Sequence, residues 1–93
     1  MASWQDIRAL EERIYEQVED FLNNKEAYTK PVLQVYLDET DMTHKAIADN
    51  NLQGSIDDGI YPMQKLIRIG DNGELEPDID TISDIANSWI FLD

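Results

Sequence analysis

Pro31-Val32-Leu33-Gln34-Val35-Tyr36-Leu37 is the stretch on which the fold class turns. Its β-branched and aromatic content suits a strand. Pro31 just inside a start, with Thr29 before it, suits a helix, and Leu33, Tyr36 and Leu37 share a helical face. The segment is read as helix, with a strand as the competing reading. Downstream, Asp41 is placed to cap a short helix over residues 42–50, with Met42, Ala46 and Ile47 inward. Asn50-Asn51-Leu52-Gln53-Gly54 reads as its exit, and Asp57-Asp58-Gly59 as a turn. Pro62 sits where another helix can begin, with Met63, Leu66 and Ile67 on one face. Leu66 to Ile69 reads equally well as one arm of a hairpin turning at Asp71-Asn72-Gly73.

The two ends of the chain are plainer. Trp4, Ile7, Leu10, Ile14, Val18, Phe21 and Leu22 recur at three- and four-residue steps, which predicts an amphipathic helix over 4–23. Glu11, Glu12, Glu16, Glu19 and Asp20 fall mostly off that stripe. Ser3 with Asp6 is a start signal, and Asn23-Asn24 a stop. Thr81-Ile82-Ser83-Asp84 repeats the start signal, and Ile82, Ile85, Ala86, Trp89 and Ile90 continue as a second helical stripe. The expected fold is therefore mainly α: one compact domain over 1–93, its long terminal helices packed together. The alternative is an α+β fold with a short hairpin around 64–76.

The 93 residues include twenty Asp and Glu against seven Lys and Arg, a net charge of −13. The imbalance is concentrated. Residues 69–93 hold Asp71, Glu74, Glu76, Asp78, Asp80, Asp84 and Asp93 and no base. Such a field repels nucleic acid and anionic membrane and steers cationic surfaces inward. The absence of cysteine removes disulfides, thiolate metal sites and thiol nucleophiles. The opening residues lack the basic and apolar regions of a signal peptide, which makes a cytoplasmic location the expectation.

Glu74-Leu75-Glu76-Pro77-Asp78-Ile79-Asp80 alternates, so an extended segment is expected with Leu75, Pro77 and Ile79 turned one way and four acids the other. Pro77 disfavours a central strand. Alternate residues of an extended chain lie about 6.6 Å apart, so Glu74, Glu76, Asp78 and Asp80 would form a row of carboxylates. DNA carries a phosphate every 3.4 Å or so of axis on each strand, which makes such a row a candidate mimic of every second charge. Asp57, Asp58, Asp71 and Asp84 would extend the field.

Other constellations are weaker. Residues 49–60 place oxygen side chains at positions 1, 3 and 5 of a calcium loop and Gly54 at position 6, but Ile60 stands where a bidentate Glu should close the cage. His44 is the only histidine. It is expected on the solvent face of the short helix, since none of Ser3, Ser55, Ser83 or Ser88 lies in a nucleophile-exposing turn. Thr43–Ala48 with Gly54 has the look of half a helix-turn-helix, but the spacing is too long and the next segment is acidic. Trp4, Trp89 and Phe91 are expected in the core. Trp89-Ile90-Phe91-Leu92 is more apolar surface than one helix face can bury, so at least one of Ile90, Phe91 and Leu92 should stay exposed or meet a second copy. A homo-oligomer is plausible on that ground.

The sequence thus points to a non-enzymatic interaction domain. It needs no cofactor or metal, and it meets a basic protein surface through Asp71, Glu74, Glu76, Asp78, Asp80 and Asp84. The rivals are a DNA mimic that blocks a nucleic-acid enzyme, and an assembly protein whose charge serves solubility alone.

Overall fold

The computed structural model describes residues 4–50 and 59–90. The fold is α+β, which overturns the mainly helical expectation: two helices accompany five short strands in two antiparallel sheets. Helix α1 runs Trp4–Asn23 and helix α2 runs Ile79–Ile90. Between them come β1 (Val32–Asp38), β2 (Thr43–Asp49), β3 (Ile60–Pro62), β4 (Ile67–Ile69) and β5 (Leu75–Pro77). The first three form one sheet in the order β2-β1-β3, and β4 with β5 forms a separate hairpin.

The deciding stretch is a strand. Leu33 and Val35 are fully buried while Val32, Gln34 and Tyr36 between them are half-buried, a period of two. The expected helix over 42–50 is also a strand, because its residues pair with β1 along seven positions, from Val32 opposite Asp49 to Asp38 opposite Thr43. Asp41 caps no helix. It lies in the connecting turn, where its carboxylate accepts hydrogen bonds from the Thr43 amide at 3.1 Å and the Thr43 hydroxyl at 2.6 Å. Asp38 does the same for the Thr40 amide at 2.9 Å. Met42 adopts φ +57°, the left-handed conformation a glycine usually supplies.

One hydrophobic core unites the elements. It takes Ile7, Leu10, Ile14, Val18 and Phe21 from α1, Leu33, Val35 and Ala46 from the sheet, and Ile82, Ile85, Ala86 and Ile90 from α2. Met63 and Leu66 fill its centre from a 3-10 turn over Met63–Leu66, which stands where Pro62 signalled a helix start. The two terminal helices do pack together, with the Ser83 hydroxyl 3.1 Å from a Glu11 carboxylate oxygen.

α1 also closes the open edge of β2. Arg13 donates to the His44 carbonyl at 2.6 Å, and the Ala48 amide donates to the Gln17 side chain at 2.8 Å. Ala46 and Ala48 are small enough on this face for the helix to come that near. An exposed strand edge is a template for foreign pairing, and these two long side chains occupy it. At the other end of β2, Asn50 accepts from the amide of Lys30 at 3.0 Å and donates to the Ala27 carbonyl at 2.9 Å. Its carboxamide thereby ties the turn after α1 to the sheet.

Trp89 lies over the sheet rather than on the surface. Its indole N–H donates to the Tyr61 hydroxyl at 2.9 Å, and its ring meets the His44 ring edge-on at 6.3 Å. His44 is thus a half-buried strand residue, not the solvent face of a helix. Gly59, at φ +81°, passes directly beneath: a Cβ there would sit 2.5 Å from the Trp89 ring and 2.5 Å from the Val35 carbonyl oxygen. Trp4 departs from expectation in the opposite sense, being 76% exposed. Ile90 is buried, and Phe91 and Leu92 lie outside the described residues.

Candidate functional site

The six acids singled out from the sequence sit around the β4–β5 hairpin and the first turns of α2, but they form no single row. Asp71 is exposed in the hairpin turn, which closes through Gly73 N–H to the Gly70 carbonyl at 2.9 Å and Gly70 N–H to the Glu74 carbonyl at 2.7 Å. Glu74, exposed, leaves that turn with its amide held by the Asn72 side chain at 3.1 Å. Glu76 stands opposite Arg68 across the hairpin and accepts from its Nε at 2.9 Å. Only Glu74 and Glu76 keep the extended spacing.

Asp78 has a different task. Its carbonyl accepts the first helical hydrogen bond, from Ile82 N–H at 3.0 Å, and its carboxylate accepts the Thr81 amide at 3.3 Å, so it caps α2. The helix is therefore capped three residues before the start signal seen at Thr81. Asp80 and Asp84 lie one turn apart on its exposed side. Of the apolar residues expected to turn inward, only Pro77 is buried. Leu75 is 41% exposed, and Ile79 is exposed on the first turn of α2.

Arg68 is the cation at the centre of this group. Its Nη1 also approaches Asp80 at 3.9 Å. The hydrogen bond to Glu76 is the chief reason its guanidinium is held above its ordinary pKa, with Asp78 and Asp80 adding to it by charge. Glu76 and Asp80 are thereby partly neutralised, whereas Asp71, Glu74 and Asp84 face no cation within ion-pair distance among the described residues.

A second set of acids joins them. Glu12, Glu16 and Glu19 follow one another at four- and three-residue steps along the solvent side of α1, with Asp20 beside them, all exposed and unpaired among the described residues. Their absence from the apolar stripe was the only signal in the sequence. Their nearness to the hairpin was not visible there, because it depends on α1 packing against β5.

Where those two elements meet, an open groove of about 260 Å³ is lined by Tyr15, Glu19, Leu22 and Asn23 from α1 and by Leu75, Glu76 and Pro77 from β5. Its apolar side continues outward, since Leu75 pairs directly with Ile69, which is 72% exposed. A site of this size takes one or two side chains, below the volume usual for a small-molecule pocket.

Of the calcium-loop expectation over 49–60, residues 51–58 lie outside the described residues. At the loop's ends, Asn50 spends its carboxamide on residues 27–30, and Ile60 is a strand residue opposite Gln34. Among the described residues, no group of three or more His, Asp or Glu side chains converges as a metal site requires. No helix among them is long and apolar enough to cross a membrane. No protein-family model, curated protein or solved structure matches this chain.

Proposed function

We propose that this chain is a non-catalytic, cytoplasmic interaction domain whose acidic surface meets a basic partner. The contact surface comprises the hairpin acids Asp71 and Glu74, Asp80 and Asp84 on α2, and the adjacent ridge Glu12, Glu16 and Glu19 on α1. One observation carries the reading: these acids stand exposed on the hairpin, α2 and α1, and among the described residues Arg68 engages only Glu76 and Asp80. Uncompensated like charge on packed elements costs stability through self-repulsion, and a cationic partner relieves it. Such a surface raises association rates and specificity more than it raises affinity. Glu76 and Asp78 have structural duties in the ion pair and the helix cap, so the contact falls on the remaining acids.

The test is capture from host lysate on the immobilised chain, eluted with a salt gradient and compared with the variant Asp71→Asn, Glu74→Gln, Asp80→Asn, Asp84→Asn. Partners released at clearly lower salt from the variant support the reading. Equal retention removes these acids from it. Displacement of the same partner by duplex DNA would turn the reading into mimicry of nucleic acid. Retention of nothing but a second copy, unaffected by the substitutions, would leave charge as solvation in an assembly protein.

A further inference from the structure

We infer that the groove between α1 and β5 receives one apolar side chain of a partner segment whose flanking residues are Lys or Arg. This rests on the reading of an acidic interaction domain and names its docking point. Three features converge. Leu75 and its cross-strand partner Ile69, both exposed, form an apolar strip that leads into the groove, where Tyr15, Leu22 and Pro77 are its apolar neighbours in an otherwise polar lining. Carboxylates unpaired among the described residues border it along α1, where Glu19 lines the wall and is continued by Glu16 and Glu12 on the same ridge; on the hairpin wall Glu76 is paired with Arg68, and Glu74 lies two residues before it in the chain. Its volume suits a side chain and not a drug-sized ligand.

Charge complementarity selects the occupant. A second copy of a chain carrying −13 would bring more acid to an acidic rim, which costs free energy. A nucleic acid or an anionic lipid surface is repelled for the same reason. A purely basic segment would leave the apolar strip wet. A segment with a leucine-like anchor between cations satisfies both features, the anchor supplying affinity and the cations register.

The probes are the capped pentapeptides KKLKK and KKAKK, titrated at low salt into the full chain labelled with ¹⁵N. KKLKK should bind about tenfold tighter than KKAKK, the difference being the apolar carbons removed from water. Amide shifts should concentrate at Tyr15, Glu19, Leu22, Ile69 and Leu75. Leu75→Ser and, on the facing wall, Tyr15→Ser should each bring the ratio of KKLKK to KKAKK affinity close to one. Both positions are at least a third exposed, so both variants should fold. Equal binding of the two peptides, or shifts confined to Asp71 and Asp84, would overturn the groove while leaving the acidic surface standing. Absence of binding by either peptide also overturns it, and the salt-gradient capture then decides the broader reading by itself.

Discussion

The molecule contains two antiparallel hairpins built on opposite principles. β1 and β2 pair over seven positions, sink Leu33, Val35 and Ala46 into the core, and have their open edge occupied by Arg13 and Gln17 of α1. Their turn contains no glycine and rests on Asp38 and Asp41. β4 and β5 pair over three positions, turn through Asp71-Asn72-Gly73, and leave Ile69 and Leu75 largely outside the core. The first hairpin is held by what packs on it, and the second, anchored to α1 at the Pro77 end of β5, leans more on its own turn and the Arg68–Glu76 pair. A hairpin anchored by tertiary contacts can do without a strong turn signal, whereas a peripheral one cannot. The peripheral hairpin is also the one that carries the proposed contact surface.

The largest expected difference lies in the core positions. Leu33→Ala should cost about 2–5 kcal/mol, as for a fully buried leucine. Ile69→Ala on the second hairpin should stay within about 0.5 kcal/mol. Urea denaturation of the two variants measures this directly, and similar losses would show that the second hairpin is as deeply anchored as the first. The glycines sharpen the contrast. Gly59 and Gly73 share φ +81°, but a Cβ at Gly59 strikes the Trp89 ring and the Val35 backbone, while at Gly73 it meets nothing within 4 Å. Gly73→Ala should cost the conformational penalty alone, roughly 1 kcal/mol. Gly59→Ala should exceed it by at least about 2 kcal/mol, because a carbonyl and a packed indole must both move.

The same contrast explains how much the sequence disclosed. α1 was legible from Trp4 to its stop at Asn23-Asn24, since seven apolar residues recur at helical steps; its start signal at Ser3 lies outside the described residues. The second hairpin was legible as an alternative because Asp71-Asn72-Gly73 is a turn signal that needs no context. The first was not. Leu33, Tyr36 and Leu37 fit a helical face as well as Leu33 and Val35 fit a strand face, and the loop Glu39–Met42 offers neither Gly nor Pro. β2 hides further, because Ala46 and Ala48 are poor strand formers tolerated for their small size beneath α1. Within the candidate site, the alternation of acids was real as far as Glu76. It failed at Asp78, whose capping role depends on where α2 starts. The groove was illegible altogether: its walls are more than fifty residues apart in the chain.

The closure of the β2 edge gives a smaller, separable effect. Removing Gln17 leaves the Ala48 amide without its partner, and removing Arg13 frees the His44 carbonyl. Each alanine variant should lose about 1 kcal/mol, the usual net value of such a bond. The double variant should also self-associate at high concentration in sedimentation, because the edge becomes available for pairing. Comparable self-association by a variant of the second hairpin, Arg68→Ala, would place the exposed edge there instead.

The smallest effect concerns the turn of the first hairpin and is local. Asp41 is held below its ordinary carboxylate value, first by the Thr43 hydroxyl hydrogen bond and then by Lys45, whose Nζ lies 3.1 Å away. A carboxyl whose folded pKa lies below its unfolded value of 3.8 stabilises the fold above that value. That contribution disappears as the pH falls through the folded value. The Thr43 amide resonance should therefore titrate at a pH below 3.8, and Asp41→Asn should abolish the transition. The Asp41 side chain is half open to water, so solvent and salt screen the pair, and the midpoint of global denaturation at neutral pH should barely move. A large global loss on Asp41→Asn would reverse the comparison. The first hairpin would then depend on its turn as the second does, and packing by α1 alone would not hold β2 in register.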